Sequence, residues 1–62
     1  MESMTASEIR QLRLSLGLTQ KEMATRVSVS TQTIKSWELG RRRPVSTAVK
    51  VLQAIKEEKP HA

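Results

Sequence analysis

The stretch of sequence that decides the fold is residues 19–40, which read TQKEMATRVSVSTQTIKSWELG. Thr19 and Glu22 have the three-residue spacing of a capping box, a pair that marks the start of a helix. Ser30 is a favoured N-cap residue, and Gly40 is of the type that most often follows a helix end. These signals predict two short helices joined by a three-residue break, over about residues 20–27 and 31–38.

Apolar residues within this stretch recur at helical spacing. They are Met23, Ala24 and Val27 in the first predicted helix, and Ile34 and Trp37 in the second. Each set falls on one face of its helix, so both faces are expected to pack into a core. Two short helices joined by a tight break are a candidate helix-turn-helix.

The residues on either side predict two more helices. Upstream, Thr5 and Glu8 have the spacing of another capping box, and Gly17 provides a stop after an apolar stripe. Downstream, a helix is expected from about Ser46 to Lys56, after an Arg-rich loop. The two stripes consist of Ile9, Leu12 and Leu16 upstream, and of Val45, Ala48, Val49, Leu52 and Ile55 downstream.

These patterns predict an all-α fold, a compact bundle of four or at most five short helices. The 62 residues fit one domain, so we expect residues 1–62 to form a single unit with an ordered core over about 5–57. Residues 1–4 are expected to be a ragged start, and residues 57–62, including His61, a frayed end.

The charge of the chain indicates a polyanionic partner. Eleven Lys and Arg stand against six acidic residues, which gives a net charge of +5. Residues 28–56 hold six of the cations and a single acidic residue, so this stretch carries the whole excess. Trp37 is the only aromatic residue, which argues against single-stranded nucleic acid or RNA held on stacking platforms. Trp37 itself is expected to be a core anchor.

The composition also excludes several classes of protein. With no Cys and one His, the chain offers neither a disulfide nor a metal site, and no cofactor motif is present. No apolar run exceeds two residues, which excludes a membrane span and a signal peptide. No nucleophile and base are paired, so we do not expect an enzyme.

The second helix of the candidate motif has a continuous polar side. At about 100° per residue, Thr31, Gln32, Lys35 and Ser36 share one arc, opposite the arc of Ile34 and Trp37. Gln pairs with the N6/N7 edge of adenine, Lys with O6/N7 of guanine, and Thr with either an acceptor or the methyl group of thymine. We therefore predict base readout in the major groove by these four residues.

Groups suited to the phosphate backbone flank that helix. Gln20 and Lys21 open the first helix of the motif and Ser30 caps the second, where free N–H groups favour anions. Arg41, Arg42 and Arg43 follow the second helix directly. We predict backbone contacts from these six residues.

Several spaced motifs resemble one family. Residues 16–24 (LGLTQKEMA), Val29-Ser30, residues 33–40 (TIKSWELG) and Pro44 are similar to the Cro/C1-type, or XRE, helix-turn-helix proteins, which include the lambdoid phage repressors. The match runs from about Ile9 to Ile55. The resemblance implies a lambda-repressor-like fold and sequence-specific binding to double-stranded DNA.

The resemblance also assigns roles to single residues. Gln20 matches a glutamine that holds a phosphate and braces the reading helix, and Thr31 and Gln32 match the base-contacting pair. Ser36 matches a later contact position, whereas Lys35 stands at a more variable one. A further implied feature is an ion pair between the first helix and the end of the third, formed by Arg13 and Glu38.

Two residues depart from the family pattern. Ser28 stands in the turn where a small residue, often Gly, is usual, and a positive φ would suit Ser less well than Gly. Thr31 is shorter than the glutamine found there in some members, which puts a brace from Gln20 to Thr31 in doubt.

The function predicted from the sequence is a transcriptional regulator, specifically a repressor, that binds a palindromic operator as a homodimer. Its dimer surface is expected in the segment from Leu39 through the fourth helix. We expect a cytoplasmic protein of a prokaryote or a phage, associated with the nucleoid when it is bound to DNA. No cofactor and no membrane are expected as partners.

Two alternatives remain open at this stage. The last predicted helix resembles that of small antitoxin regulators of the HigA kind, so the main role could be to bind a toxin or bridge another protein. The second alternative is a basic amphipathic helix protein at anionic membranes, which would need bulky apolar residues exposed opposite Lys and Arg.

Overall fold

Four helices make up the chain in a computed structural model that describes residues 4–57. No strand is present in that range. The all-α prediction is therefore confirmed, and the predicted helix boundaries hold to within about two residues. The helices are α1 (Ala6–Ser15), α2 (Gln20–Val27), α3 (Thr31–Glu38) and α4 (Ser46–Glu57).

The helix starts follow from local side-chain chemistry. In the first capping box, the Glu8 N–H donates to the Thr5 hydroxyl at 3.1 Å, and the Thr5 N–H donates to the Glu8 carboxylate at 2.8 Å. Thr19 and Glu22 form the same pair of bonds at 3.1 and 2.8 Å. These bonds satisfy N–H groups that have no partner within the helix, and both capping boxes are as predicted.

The first three helices end in the same way, with one residue in the left-handed conformation. Gly17, Ser28 and Gly40 have φ of 69°, 64° and 76°. After each of them the chain folds back: the Arg41 N–H, for example, donates to the Ser36 carbonyl at 3.0 Å, as in a Schellman motif. The turn of the helix-turn-helix thus requires a positive φ and carries Ser28 there.

The core lies where α2 and α3 meet, closed by α1 and α4. α2 packs closely against α3, α1 packs against α3, and α4 against α2. The most deeply buried large side chains come one from each helix: Ile9, Met23, Ile34 and Leu52. Trp37 is also buried, with 5% of its surface exposed, which confirms it as a core anchor.

Two expectations about single residues are wrong. Met4, assigned to a ragged start, is only 5% exposed and joins the core, where it lies beside Leu12 of α1. Val45, assigned to the buried stripe of the last helix, is 67% exposed. It precedes α4 and contributes only its carbonyl, which accepts from the Val49 N–H at 2.9 Å, so its side chain does not share the helical face.

The predicted frayed end begins one residue too early. Glu57 is the last residue of α4. Residues 1–3 and 58–62 lie outside the described part of the chain, and so do the predictions made for them, including the one for His61.

Ser28→Gly is expected to stabilise the fold. A left-handed conformation costs a non-glycine residue about 1–2 kcal/mol, and the greater freedom of Gly in the unfolded chain offsets about 0.5–1 kcal/mol of the gain. The free energy of unfolding in urea should rise by about 0.5–1 kcal/mol at unchanged m. Gly40→Ser is the reverse exchange at a site with no atom within 4 Å to clash. It should lower the free energy of unfolding by a similar amount. A change of the same sign in both variants would contradict the prediction.

The capping box of α1 should make stability depend on pH. The hydrogen bond from the Thr5 backbone lowers the pKa of Glu8 below its ordinary value of 4.5. Because the folded pKa is the lower one, the stability from this group is present above about pH 4.5 and is lost as the pH falls through the folded pKa. Glu8→Gln keeps the capping geometry without titrating. Its melting temperature, followed by circular dichroism, should fall less steeply with acid than that of the parent; equal slopes would refute the prediction.

Candidate nucleic-acid interface

The surface of α3 separates into a core side and a polar side. Ile34 is fully buried and Trp37 nearly so, which fixes the rotation of the helix about its axis. Gln32 and Lys35 are exposed on the other side, and Thr31 and Ser36 lie half-buried at its margins. All four residues predicted to read bases therefore share one continuous surface, as the helical spacing required.

Ser30 holds the start of α3 through two contacts with Thr33. Its hydroxyl accepts from the Thr33 N–H at 3.1 Å and lies 2.8 Å from the Thr33 hydroxyl. When the Thr33 hydroxyl donates in that contact, the hydrogen of Ser30 is left to point away from the helix. The N-cap can then serve α3 and a ligand acceptor together. The contribution of Thr33 was not predicted from the sequence.

The far end of α3 is held by Arg13 of α1. The Arg13 Nε donates to Glu38 Oε2 at 2.7 Å and its Nη2 to Glu38 Oε1 at 3.1 Å, a bidentate pair. Its Nη1 donates to the Leu18 carbonyl at 3.0 Å. The side chains of the pair are only 13% and 6% exposed, and the hydrogen bond to Glu38 raises the pKa of Arg13 above its already high ordinary value. One guanidinium thus joins α1, the loop before α2 and the last turn of α3.

Gln20 joins the same cluster from the start of α2. Its side-chain Nε2 donates to Glu38 Oε1 at 3.3 Å. The brace from Gln20 to the reading helix therefore ends on Glu38, at the last turn of α3. This contact was missed because its partner is 18 residues away, and only the implied pairing of Arg13 with Glu38 indicated that Glu38 would be turned inward.

The other residues predicted to contact the DNA backbone lie near the ends of helices. Lys21 is exposed in the first turn of α2. Arg41, Arg42 and Arg43 are also exposed, in the loop that folds back over α3. Both the Arg41 and the Arg42 N–H reach the Ser36 carbonyl, at 3.0 and 3.4 Å, so the triplet is tied to the last turn of the helix. Exposed cations therefore lie at the start of α2 and directly after the end of α3.

A groove opens on the opposite side of α3 from Arg13. It has a volume of about 460 Å³ and an apolar lining that includes Val29, Trp37, Val45 and Val51, with Arg42 and Arg43 among its other lining residues. Within residues 4–57, no helix is long and apolar enough to cross a bilayer, and no three acidic or His side chains cluster as metal ligands.

A comparison of the sequence with models of protein families shows which family has these features. A helix-turn-helix family model matches residues 9–58, which is most of the chain. The chain belongs to the Cro/C1-type helix-turn-helix family. Members of this family are DNA-binding transcription regulators, so the helix-turn-helix formed by α2 and α3 is a DNA-binding unit. No curated protein matches the sequence significantly.

Arg13→Ala is expected to be strongly destabilising. It leaves the Glu38 carboxylate nearly buried without its counter-ion, a loss of about 3–5 kcal/mol for pairs of this kind. Urea unfolding followed by circular dichroism measures the change. Arg10→Ala is the matched control, because Arg10 lies one turn earlier on α1 and is exposed. The control should stay within about 0.5 kcal/mol of the parent. A midpoint for Arg13→Ala close to that of the control would show that the pair does not hold α3.

Proposed function

We propose that this chain is a sequence-specific double-stranded DNA-binding repressor, with α3 lying in the major groove. The observation that carries the proposal is the exposed polar surface of α3, held in one orientation by Ile34 and Trp37 on the other side and by Glu38 at its end. Such a surface offers hydrogen-bonding side chains to the edges of the bases. Occupying a site is the effect that a bound domain exerts by itself, so repression is the proposed outcome.

The proposed readers are the residues with neutral hydrogen-bonding side chains. Gln32 is exposed and carries both a donor and an acceptor, which suits the N6/N7 edge of adenine. Thr31 and Ser36 flank it with hydroxyls, and the Thr31 methyl suits the methyl group of thymine. Their half-buried positions limit their freedom, which lowers the entropy lost when they contact a base.

The proposed backbone contacts flank those readers. Gln20 keeps a second amide hydrogen when it donates to Glu38, and this hydrogen can donate to a phosphate at the start of α2. Lys21 and Ser30 supply a cation and a hydroxyl at helix N-termini, where anions are favoured. On the other flank, the exposed triplet Arg41–Arg43 supplies charge to the second strand.

We further propose that two copies bind a palindromic operator. One helix-turn-helix contacts one half-site, and half-sites one turn apart are separated by about 34 Å. The dimer surface proposed for the segment from Leu39 through α4 is supported by exposed apolar side chains there, with Leu39 and Val45 both 67% exposed and Val51 38% exposed.

A second candidate function is to bind a protein partner such as a toxin. The apolar groove beside Arg42 and Arg43 favours it, because exposed apolar surface of this kind is typical of interaction sites. The groove and the readers are on different sides of α3. A protein partner would therefore still bind the Gln32→Ala variant.

Selection of bound duplexes from a random pool tests the main proposal. We expect an enriched palindrome with half-sites one turn apart. If each protomer neutralises about four phosphates, log affinity against log salt should have a slope near −3.6 per protomer. Failure to enrich any sequence, with the fold intact by circular dichroism, would overturn sequence-specific binding.

Gln32→Ala and Arg42→Ala should separate the two kinds of contact on the selected duplex. Gln32→Ala should lose about 1–3 kcal/mol of discrimination at one base pair and keep the salt slope. Arg42→Ala should weaken cognate and random duplexes alike and reduce the slope by about one. Fluorescence anisotropy with both duplexes measures each effect. Equal losses on both duplexes for Gln32→Ala would show that Gln32 is not a reader.

A further inference from the structure

A cationic cleft lies between α1 and α3, next to the reading surface. It has a volume of about 320 Å³ and is lined by Arg10, Arg13, Gln20, Lys35, Glu38 and Leu39. Lys35 belongs to this cleft and also to the polar surface of α3, so the two are continuous. The groove beside Arg42 and Arg43 is on the other flank of α3 and shares no lining residue with the cleft.

The charges within the cleft are not balanced. Its one carboxylate, Glu38, accepts two of the three hydrogen bonds of Arg13 and another from Gln20. Within residues 4–57, neither Arg10 nor Lys35 forms a salt bridge or a side-chain hydrogen bond, and both are exposed. Two unpaired cations therefore face a cleft in which the carboxylate is already used.

The position of the cleft, next to the start of α2, indicates which anion can reach it. Gln20, at the start of α2, lies at its edge with an amide hydrogen to spare, and α3 is expected to lie in a major groove. In that arrangement, one DNA strand would present its phosphates to the start of α2. Arg10 of α1 and Lys35 of α3 line the same cleft as Gln20, so both lie near those phosphates.

We propose that Arg10 and Lys35 bind DNA backbone phosphates of the strand that contacts the start of α2. Arg10 is a contact that neither the motif nor the family resemblance indicated, and Lys35 holds backbone instead of reading a base as the sequence predicted. This inference rests on the proposed DNA-binding function. It extends the electrostatic contact from the helix-turn-helix to α1.

The roles of the two residues can be tested by the salt dependence of binding. The slope of log affinity against log salt should become less steep by about 0.9 per protomer in Arg10→Ala and in Lys35→Ala, and by about 1.8 in the double variant. The ratio of cognate to random affinity should stay within about twofold of the parent. Arg26→Ala, which removes an exposed arginine of α2 outside the proposed contacts, is the charge-matched control and should leave the slope unchanged.

Duplexes with single neutral methylphosphonates give a second readout. The parent should lose affinity when one particular phosphate of the half-site is neutralised, and the double variant should lose much less at the same position, since the partners are coupled. A loss of cognate binding alone in Lys35→Ala, with an unchanged slope, would make Lys35 a base reader and overturn the inference. Failure of the parent to bind any duplex would instead overturn the proposed function.

Discussion

The guanidinium of Arg13 ties together α1, the loop before α2 and the last turn of α3, the helix proposed to read bases. An isolated helix of eight residues is not stable in water, so α3 owes its existence to what surrounds it. Ile34 and Trp37 fix its rotation by burial. The bidentate pair of Arg13 with Glu38 adds directional hydrogen bonds at the last turn, and these bonds tie α3 to α1.

The pair also shapes the electrostatics of the surface. A nearly buried ion pair adds little net stability, since desolvation offsets much of the attraction. Its benefit here is positional and electrostatic: Glu38, the one carboxylate between Ser28 and Lys56, is turned inward and shared between Arg13 and Gln20. The cations around α3 thus act on a surface without a competing negative charge. Hydrophobic residues in place of the pair could give the protein the same stability. They would not provide the bonds by which Arg13 and Gln20 hold the carboxylate of Glu38 inward.

The parts of the fold that could be predicted are those determined by residues close together in the sequence. Helix starts are set by hydroxyl and carboxylate side chains three residues apart, and helix ends by a residue that tolerates positive φ. Both signals act within one turn, so Thr19 with Glu22 and Gly40 could be identified without knowing the rest of the chain. Apolar spacing then assigned the core faces, as with Ile34 and Trp37.

What could not be predicted depends on contacts between distant segments. The burial of Met4 depends on side chains that come much later in the chain, since it joins the same core as Trp37 and Ile55. The exposure of Val45 depends on where α4 begins within a continuous apolar pattern. The contact of Gln20 with Glu38 joins residues from two helices. The pairing of Arg13 with Glu38 was expected from family resemblance alone, because charge and spacing do not select one Glu from six.

The distribution of residue types around α3 separates affinity from discrimination. The proposed readers Thr31, Gln32 and Ser36 are uncharged, whereas the exposed cations occupy the two flanks, with Lys35 on one and Arg41–Arg43 on the other. Charge on the flanks attracts any duplex and weakens with salt, while hydrogen bonds at the centre depend on the base pair and change little with salt. A variant that adds charge to the flanks would therefore bind all DNA more tightly and choose among sequences no better. We propose that specificity in this domain comes from the orientation of three neutral side chains, and that Arg13 helps to hold this orientation from the flank next to them.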